Sequence, residues 1–298
     1  MPDFHDEVAT NKKPEWLKIK LRTNEGYSEV ARIVEARGLH TICSSGRCPN
    51  QAECWSRRTA SFMILGEVCT RSCKFCATST GKPLPPDPGE PPKVADAVAA
   101  IGLKHCVITS VTRDDLADSG ARHWAAVVRA VREKNPTTTI ELLIPDMDAR
   151  AGLLDIIIDS QPDIIGHNVE TVERLTPAVR SRARFGVSMA ALHYIAQSGI
   201  PAKSGLMVGL GETDAEVVET MELLLDNGCR IATIGQYLQP TAAHLPVAEY
   251  VTPEKFAWYK RRALDMGFSH VESGPLVRSS YMAERALGNI EKLRSRTA

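Results

Sequence analysis

The chain has 298 residues, with 36 Lys+Arg balanced by 36 Asp+Glu, so its formal charge is zero. That balance argues against a protein that lives on nucleic acid, where basic patches unbalance the count. Hydrophobic residues make up 43% and charged residues 24%, which speaks against whole-chain disorder, and no run approaches the roughly 18 apolar residues that span a bilayer.

In chain order, Met1–Asn11 carries Asp3, Asp6 and Glu7 and no apolar core, unlike a signal or transit peptide, so a cytoplasmic location is expected. Residues 1–58 read as an extension, with a helix over 25–37 that puts Val30, Ile33 and Val34 on one face. The apolar run Ser61–Glu67 predicts a buried strand. Further strands are predicted at His105–Val111, Thr139–Pro145, Asp163–Val169, Gly205–Gly209 and Arg230–Leu238. Helical spacing links Val94, Ala97, Val98 and Ile101, and again Trp124, Val127, Val128 and Val131. Thr213 with Glu216 forms a capping box, and Thr252-Pro253 starts another helix. The Pro-rich Lys82–Lys93 reads as a surface connection. Six β–α units imply a parallel sheet, and periodicity alone fits either an open doubly wound sheet or a partial barrel.

The cysteines carry the chemistry. Of eight, six lie between Cys43 and Cys76. Cys43, Cys48 and Cys54 follow a CxxxxCxxxxxC spacing, and Cys69, Cys73 and Cys76 follow CxxxCxxC directly after the first strand. Clustered thiols in a cytosolic chain bind metal or do redox chemistry more often than they form disulfides. A structural zinc site closes with four ligands. Three cysteines on a four-iron cluster leave one iron open to a further ligand. Disulfides and a binuclear zinc knot are the alternatives, disfavoured by compartment and by spacing. Cys106 and Cys229 stand singly in apolar segments and read as inert core residues.

CxxxCxxC with Phe75 before its last cysteine resembles the radical S-adenosylmethionine enzymes. Gly205-Leu-Met-Val-Gly209-Leu-Gly-Glu212 is similar to that superfamily's GxIxGxxE strand. Within it the chain resembles lipoyl synthase, through Cys48-Pro-Asn, Glu53-Cys54-Trp55 and Arg278-Ser279-Ser280-Tyr281. Segments from Lys13-Pro-Glu-Trp-Leu17 to Gln236-Tyr-Leu-Gln-Pro-Thr241 match in order, so the resemblance covers nearly the whole chain. It departs at Ser44-Ser45-Gly46, usually acidic in the family, and at Val179–Gly186, which lacks a Pro-Gly often seen there.

The resemblance implies an α/β fold, a partial (βα)6 TIM-like barrel over 59–272, with the extension 1–58 carrying one triplet and a tail 273–298. It implies insertion of sulfur at C6 and C8 of a protein-bound octanoyl chain, using S-adenosylmethionine and two 4Fe–4S clusters. Cys69, Cys73 and Cys76 would hold the cluster that binds S-adenosylmethionine. Cys43, Cys48 and Cys54, with Ser280 as the fourth and catalytic ligand, would hold an auxiliary cluster that is consumed as the sulfur source. Ser279 is the competing choice, and a polar C-terminal cap is the bland reading of the motif. Phe75, Asn168, Glu170, Lys203, Gly209, Glu212 and Gln236 are expected cofactor contacts. Their bland readings are loop packing for Phe75 and a plain strand-to-helix turn for Gly209, Gly211 and Glu212. His167 reads as a satisfied core histidine. Arg113, Asp114 and Asp115 either shape the substrate side or form a helix-start cap and solvated turn.

Expected partners are an octanoylated lipoyl carrier protein (a dehydrogenase-complex E2 lipoyl domain or the glycine cleavage H protein), a flavodoxin or ferredoxin donor and an iron–sulfur carrier protein. Neither nucleic acid nor membrane is expected, and the chain is expected to be monomeric. The competing readings are biotin synthase, whose auxiliary ligands lie in barrel strands, a cluster carrier or redox sensor, and a zinc-stabilised interaction protein.

Overall fold

The structure, a computed structural model, describes residues 13–19, 23–286 and 288. The Met1–Asn11 reading lies outside them. The strands are β1 (His40–Thr41), β2 (Ser61–Ile64), β3 (Val68–Cys69), β4 (Ser79–Thr80), β5 (His105–Ser110), β6 (Thr139–Leu143), β7 (Ile164–Gly166), β8 (Ala202–Val208), β9 (Ile231–Gln236) and β10 (His270–Gly274). The main sheet runs β1-β2-β5-β6-β7-β8-β9-β10. Every pairing from β2 to β10 is parallel, and β1 lies antiparallel on β2. A doubly wound sheet reverses its strand order at a switch point. Here each new strand adds to the same edge, the winding of a barrel, and the order ends at β10 without returning to β2.

The crossovers are helical. In chain order the helices are α1 (Glu25–Ala36), α2 (Ile42–Ser45), α3 (Gln51–Ser56), α4 (Glu90–Ile101), α5 (Ala121–Lys134), α6 (Ala151–Ile158), α7 (Thr176–Val179), α8 (Phe185–Gln197), α9 (Asp214–Asp226) and α10 (Pro253–Met266). Phe62, Ile64, Cys106, Ile108, Ile140 and Leu142 share a core with Val94, Val98, Trp124, Val127 and Val131. A second core joins Leu206, Val208, Ala232 and Ile234 to Met221, Leu224, Phe256 and Tyr259. Successive side chains of a strand point to opposite faces, so His105, Thr109, Glu141, Lys203, Gly205 and Thr233 face the barrel interior.

The extension joins the barrel rather than standing apart: Val30, Ile33, Val34 and Trp55 enter the first core, and Tyr27 packs on Trp55 with ring centroids 5.3 Å apart. All six predicted strands are present, with shifted ends. The first stops at Ile64 because Leu65 and Gly66 take φ of 68° and 92° and turn the chain out. The fifth starts at Ala202, before Gly205. Two features correct the sequence reading. A seventh parallel strand, β10, runs across residue 272, where the barrel was expected to end. The Lys82–Lys93 connection ends early, since α4 starts at Glu90, whose buried carboxylate accepts from the Leu65 amide at 2.8 Å. Among the described residues no helix is long and apolar enough to cross a membrane.

Candidate active site

Cys69 closes β3, and β3 pairs with β4 to bracket the CxxxCxxC loop. The Cys69 sulfur accepts from the Arg71 amide at 3.4 Å and the Thr112 amide at 3.3 Å. Between the cysteines, Arg71 is buried and forks two ways. Its Nε and Nη2 each meet Asp114 at 2.9 Å, and its Nη1 and Nη2 meet Asp146 at 2.7 and 2.9 Å. Asp114 follows β5 and Asp146 follows β6, so one guanidinium ties the loop to two strand ends. Despite its burial, the Arg71 hydrogen bond and charge hold the Asp146 carboxyl down at about 2. Other ties come from later loops. Ser72 N–H donates to Ser181 Oγ at 3.1 Å, Lys74 N–H to Val179 O at 2.9 Å, and His244 Nε2 lies 3.0 Å from Cys76 O. Those anchors all follow the C-terminal ends of strands, where α/β barrels carry their chemistry.

Beside this loop stands a polar cluster after β7. Glu170 is held by backbone bonds to β8, its N–H to Gly205 O at 3.0 Å and its O from Met207 N–H at 2.9 Å. Burial pushes its carboxyl pKa up, opposed by Arg180 and Asn168. Arg180 donates to Val169 O at 3.3 Å and Ser188 Oγ at 3.0 Å, and its buried Nε has no partner. The charges of both Glu170 and Arg180 reach Cys73. His167 donates from Nδ1 to Ile144 O and accepts at Nε2 from Ser188, both at 2.9 Å, in the tautomer that this network assigns.

The first triplet lies at the other end of the barrel. Cys43, Cys48 and Cys54 line one cavity with Ser61, His105 and Ser280, next to the starts of β2 and β5. Cys43 sits in α2 and Cys54 in α3. The Cys48 amide donates to Cys43 O at 2.9 Å and the Cys54 amide to Asn50 O at 2.8 Å, which fixes the intervening turn. Burial pushes the Cys43 and Cys48 thiols up, and takes Cys54 to about 12 with help from the charges of Cys43 and Cys48. Burial likewise raises Cys73 and Cys76. A thiol that ligates a metal gives up its proton to it. Three clustered sulfurs with a hydroxyl beside them suit iron–sulfur ligation. Among the described residues no three His, Cys, Asp or Glu side chains are set around a single metal ion.

Comparison with known proteins places this geometry. The Radical SAM superfamily model matches residues 63–224. The lipoyl synthase of Bacteroides fragilis is 60% identical over 274 residues, covering 92% of this chain and 95% of that one. The lipoyl synthase of Treponema denticola is 54% identical over 278 residues, 93% of this chain and 96% of that one. The chain belongs to the lipoyl synthase family. Among solved structures, methylornithine synthase (PylB) aligns with a TM-score of 0.51 at 14% identity, over 87% of this chain and 81% of that one. Streptococcus suis SuiB bound to its precursor peptide gives 0.56 at 11%, over 71% and 48%. At these identities the likeness concerns the fold alone, which is the partial barrel of radical S-adenosylmethionine proteins.

For a lipoyl synthase, the residues singled out in the sequence fall into distinct places. Ser280 stands with Cys43, Cys48 and Cys54, while the Ser279 hydroxyl accepts from Asn168 Nδ2 at 2.6 Å. Asn168 and Glu170 lie together after β7, and Phe75 is half-buried on the CxxxCxxC loop. Glu212 is turned onto its own loop, accepting from the Gly209 and Leu210 amides at 2.5 and 2.9 Å. Gly209 needs φ of 95°, and a Cβ there would meet Gln236 Nε2 at 2.2 Å. Gln236 spends its amide on Val208 O, Tyr237 O and Glu249 O and accepts from Val251 N–H, so it welds the ends of β8 and β9 to the next loop. Lys203 sits near the start of β8, away from these groups, with its ammonium 2.5 Å from Glu141 Oε1. Arg113 is buried against Asp115 and Leu65 O, and Asp114 serves Arg71, so this run is no solvated turn. Arg71, Asp146 and Arg180 escaped the sequence reading. The one signal for Arg71 is its place inside the CxxxCxxC loop.

Proposed function

We propose that this protein inserts two sulfur atoms, at C6 and C8 of an octanoyl chain borne on a lysine of a lipoyl carrier protein, and that its two cysteine triplets divide the work. One observation carries the division: Cys43, Cys48, Cys54 and Ser280 share a cavity at one end of the barrel, and the CxxxCxxC loop is anchored at the other. A four-iron cluster with an open iron, together with S-adenosylmethionine, would supply the carbon radical needed to take hydrogen from the unactivated methylene at C6 and methyl at C8, which no side-chain base deprotonates.

Cys69, Cys73 and Cys76 would hold that cluster, and Arg71 keeps their loop in place. Arg180 offers its unpartnered Nε to a carboxylate, and Glu170, beside it, offers a carboxylate to an ammonium. That pair suits the amino-acid end of S-adenosylmethionine. Phe75, Asn168 and the Gly209–Glu212 turn border the same mouth, and Gln236 positions that turn. Lys203 serves the barrel interior through Glu141. The auxiliary cluster is the sulfur donor, so it is a co-substrate held by Cys43, Cys48, Cys54 and Ser280. An alkoxide is a harder ligand than a thiolate and suits an iron that has to leave. The extension that carries Cys43, Cys48 and Cys54 and the tail that carries Ser280 thus supply the two halves of the auxiliary site. The reading calls for an octanoylated carrier as substrate, a flavodoxin or ferredoxin as reductant and an iron–sulfur carrier to rebuild the donor.

Two variants test the division of labour. Cys73→Ala is expected to abolish formation of 5′-deoxyadenosine. Cys48→Ala is expected to retain part of it and yield no sulfur insertion. Lipoyl product from Cys48→Ala would overturn the assignment of the auxiliary donor.

A further inference from the structure

One amide joins the two cysteine sites. Asn168 lies just past β7, two residues before Glu170, and its NH2 donates to Ser279 Oγ at 2.6 Å. Ser279 precedes Ser280, which lines the auxiliary cavity. The Arg278–Tyr281 turn is closed by the Tyr281 amide on Arg278 O at 2.9 Å, and its two central residues are these serines. One hydroxyl goes to the barrel wall and the other lines the cavity.

The rest of the segment is tied to the auxiliary loop. Asn50 Nδ2 donates to Leu276 O at 2.6 Å, Tyr281 Oη to Glu53 Oε1 at 3.1 Å, and Arg57 meets Glu284 at 3.2 Å. The bond from Asn168 crosses 111 residues of sequence and runs instead to the strand end beside the other triplet. Gly235 lets the segment come this close to β9, since a Cβ there would lie 2.2 Å from Val277 O.

We propose that Asn168 is a positioning residue that latches the Arg278–Tyr281 turn through Ser279, and so fixes where Ser280 stands at the auxiliary triplet. The proposal rests on the reading of Cys43, Cys48, Cys54 and Ser280 as the auxiliary site.

The test uses the full metal-free chain, where cysteine-resolved iodoacetamide labelling and amide hydrogen exchange read the turn directly. Ser279→Ala removes the acceptor. It is expected to speed exchange over residues 278–283 by about tenfold, the most that one hydrogen bond sustains. It is also expected to raise labelling of Cys48 and Cys54 severalfold while Cys69, Cys73 and Cys76 keep their wild-type rates. Ser279→Thr, which keeps a hydroxyl, restores both readouts. Should Ser279→Ala fail to fold, Asn168→Leu keeps the side-chain volume, removes the donor without offering the Ser279 hydroxyl an acceptor, and is expected to give the same selective pattern. Wild-type labelling and exchange in the variant overturn the latch, as does a uniform rise at all six cysteines. If the loaded wild type makes no sulfur-bearing product while Ser279→Ala still unmasks Cys48 and Cys54, the functional reading fails and the latch stands.

Discussion

His167 shows what burial does to a single side chain. It is 2% exposed, with both ring nitrogens engaged. Burial, aided by the Arg180 charge, pushes its pKa from the ordinary 6.5 down to about 4. The unfolded chain therefore takes up this proton at a higher pH than the folded one, so stability is full above pH 6.5 and drains as the pH falls toward 4. By pH 4.5 this residue alone removes about 2–3 kcal/mol. Urea unfolding at pH 7 and pH 4.5 checks it: His167→Gln is expected to lose less on acidification than the wild type by about that amount, and an equal loss in both proteins counts against the account. That a lone strand histidine is a satisfied core residue was legible in the sequence, because a ligand histidine needs companions and none stood near it. Lys203 was not legible in the same way. Its partner Glu141 lies 62 residues away on another strand, and no spacing rule links positions that only the barrel brings together.

At the scale of elements, the CxxxCxxC loop owes its shape to Arg71. Removing the guanidinium in Arg71→Met leaves Asp146 buried without its guanidinium and Asp114 with only the exposed Arg182, 3.5 Å away, and breaking a buried pair from one side costs about 3–5 kcal/mol. The metal-free variant is expected to unfold at distinctly lower denaturant and, after anaerobic reconstitution, to hold less iron. An unchanged midpoint would mean that the backbone ties to Val179 and Ser181 hold the loop without it. Motif spacing revealed the loop and its three cysteines but not its clamp, since the two carboxylates lie 43 and 75 residues downstream. Local chemistry was easier to read. The Thr213–Glu216 capping box is present as expected, because all its atoms lie within one turn of α9. β10 was missed for the opposite reason. Its His270-Val-Glu-Ser-Gly274 offers one buried apolar residue, Val271, between polar ones, and Glu272 meets Lys260 of α10 and Arg285, both partly exposed.

Across the whole molecule, sequential strand order ends at β10 without returning to β2, and among the described residues the extension and the tail meet at one cavity. The extension brings Cys43, Cys48 and Cys54, the tail brings Ser280, and the barrel strands supply Ser61 and His105. Which of two adjacent serines lines the cavity with the cysteines is a matter of turn geometry, which motif spacing does not encode. The alternation of strand and helix gave the parallel sheet, but not the choice between barrel and doubly wound sheet, because strand order is a property of the assembled sheet. The central claim is that one barrel carries both a radical-generating triplet and a sulfur-donating triplet. Mass spectrometry of an octanoyl-lysine peptide tests it most directly, after anaerobic incubation with reconstituted protein, S-adenosylmethionine and a strong reductant. The account predicts a product with two added sulfurs, formed alongside 5′-deoxyadenosine. A brown protein with both clusters loaded that forms neither would contradict it.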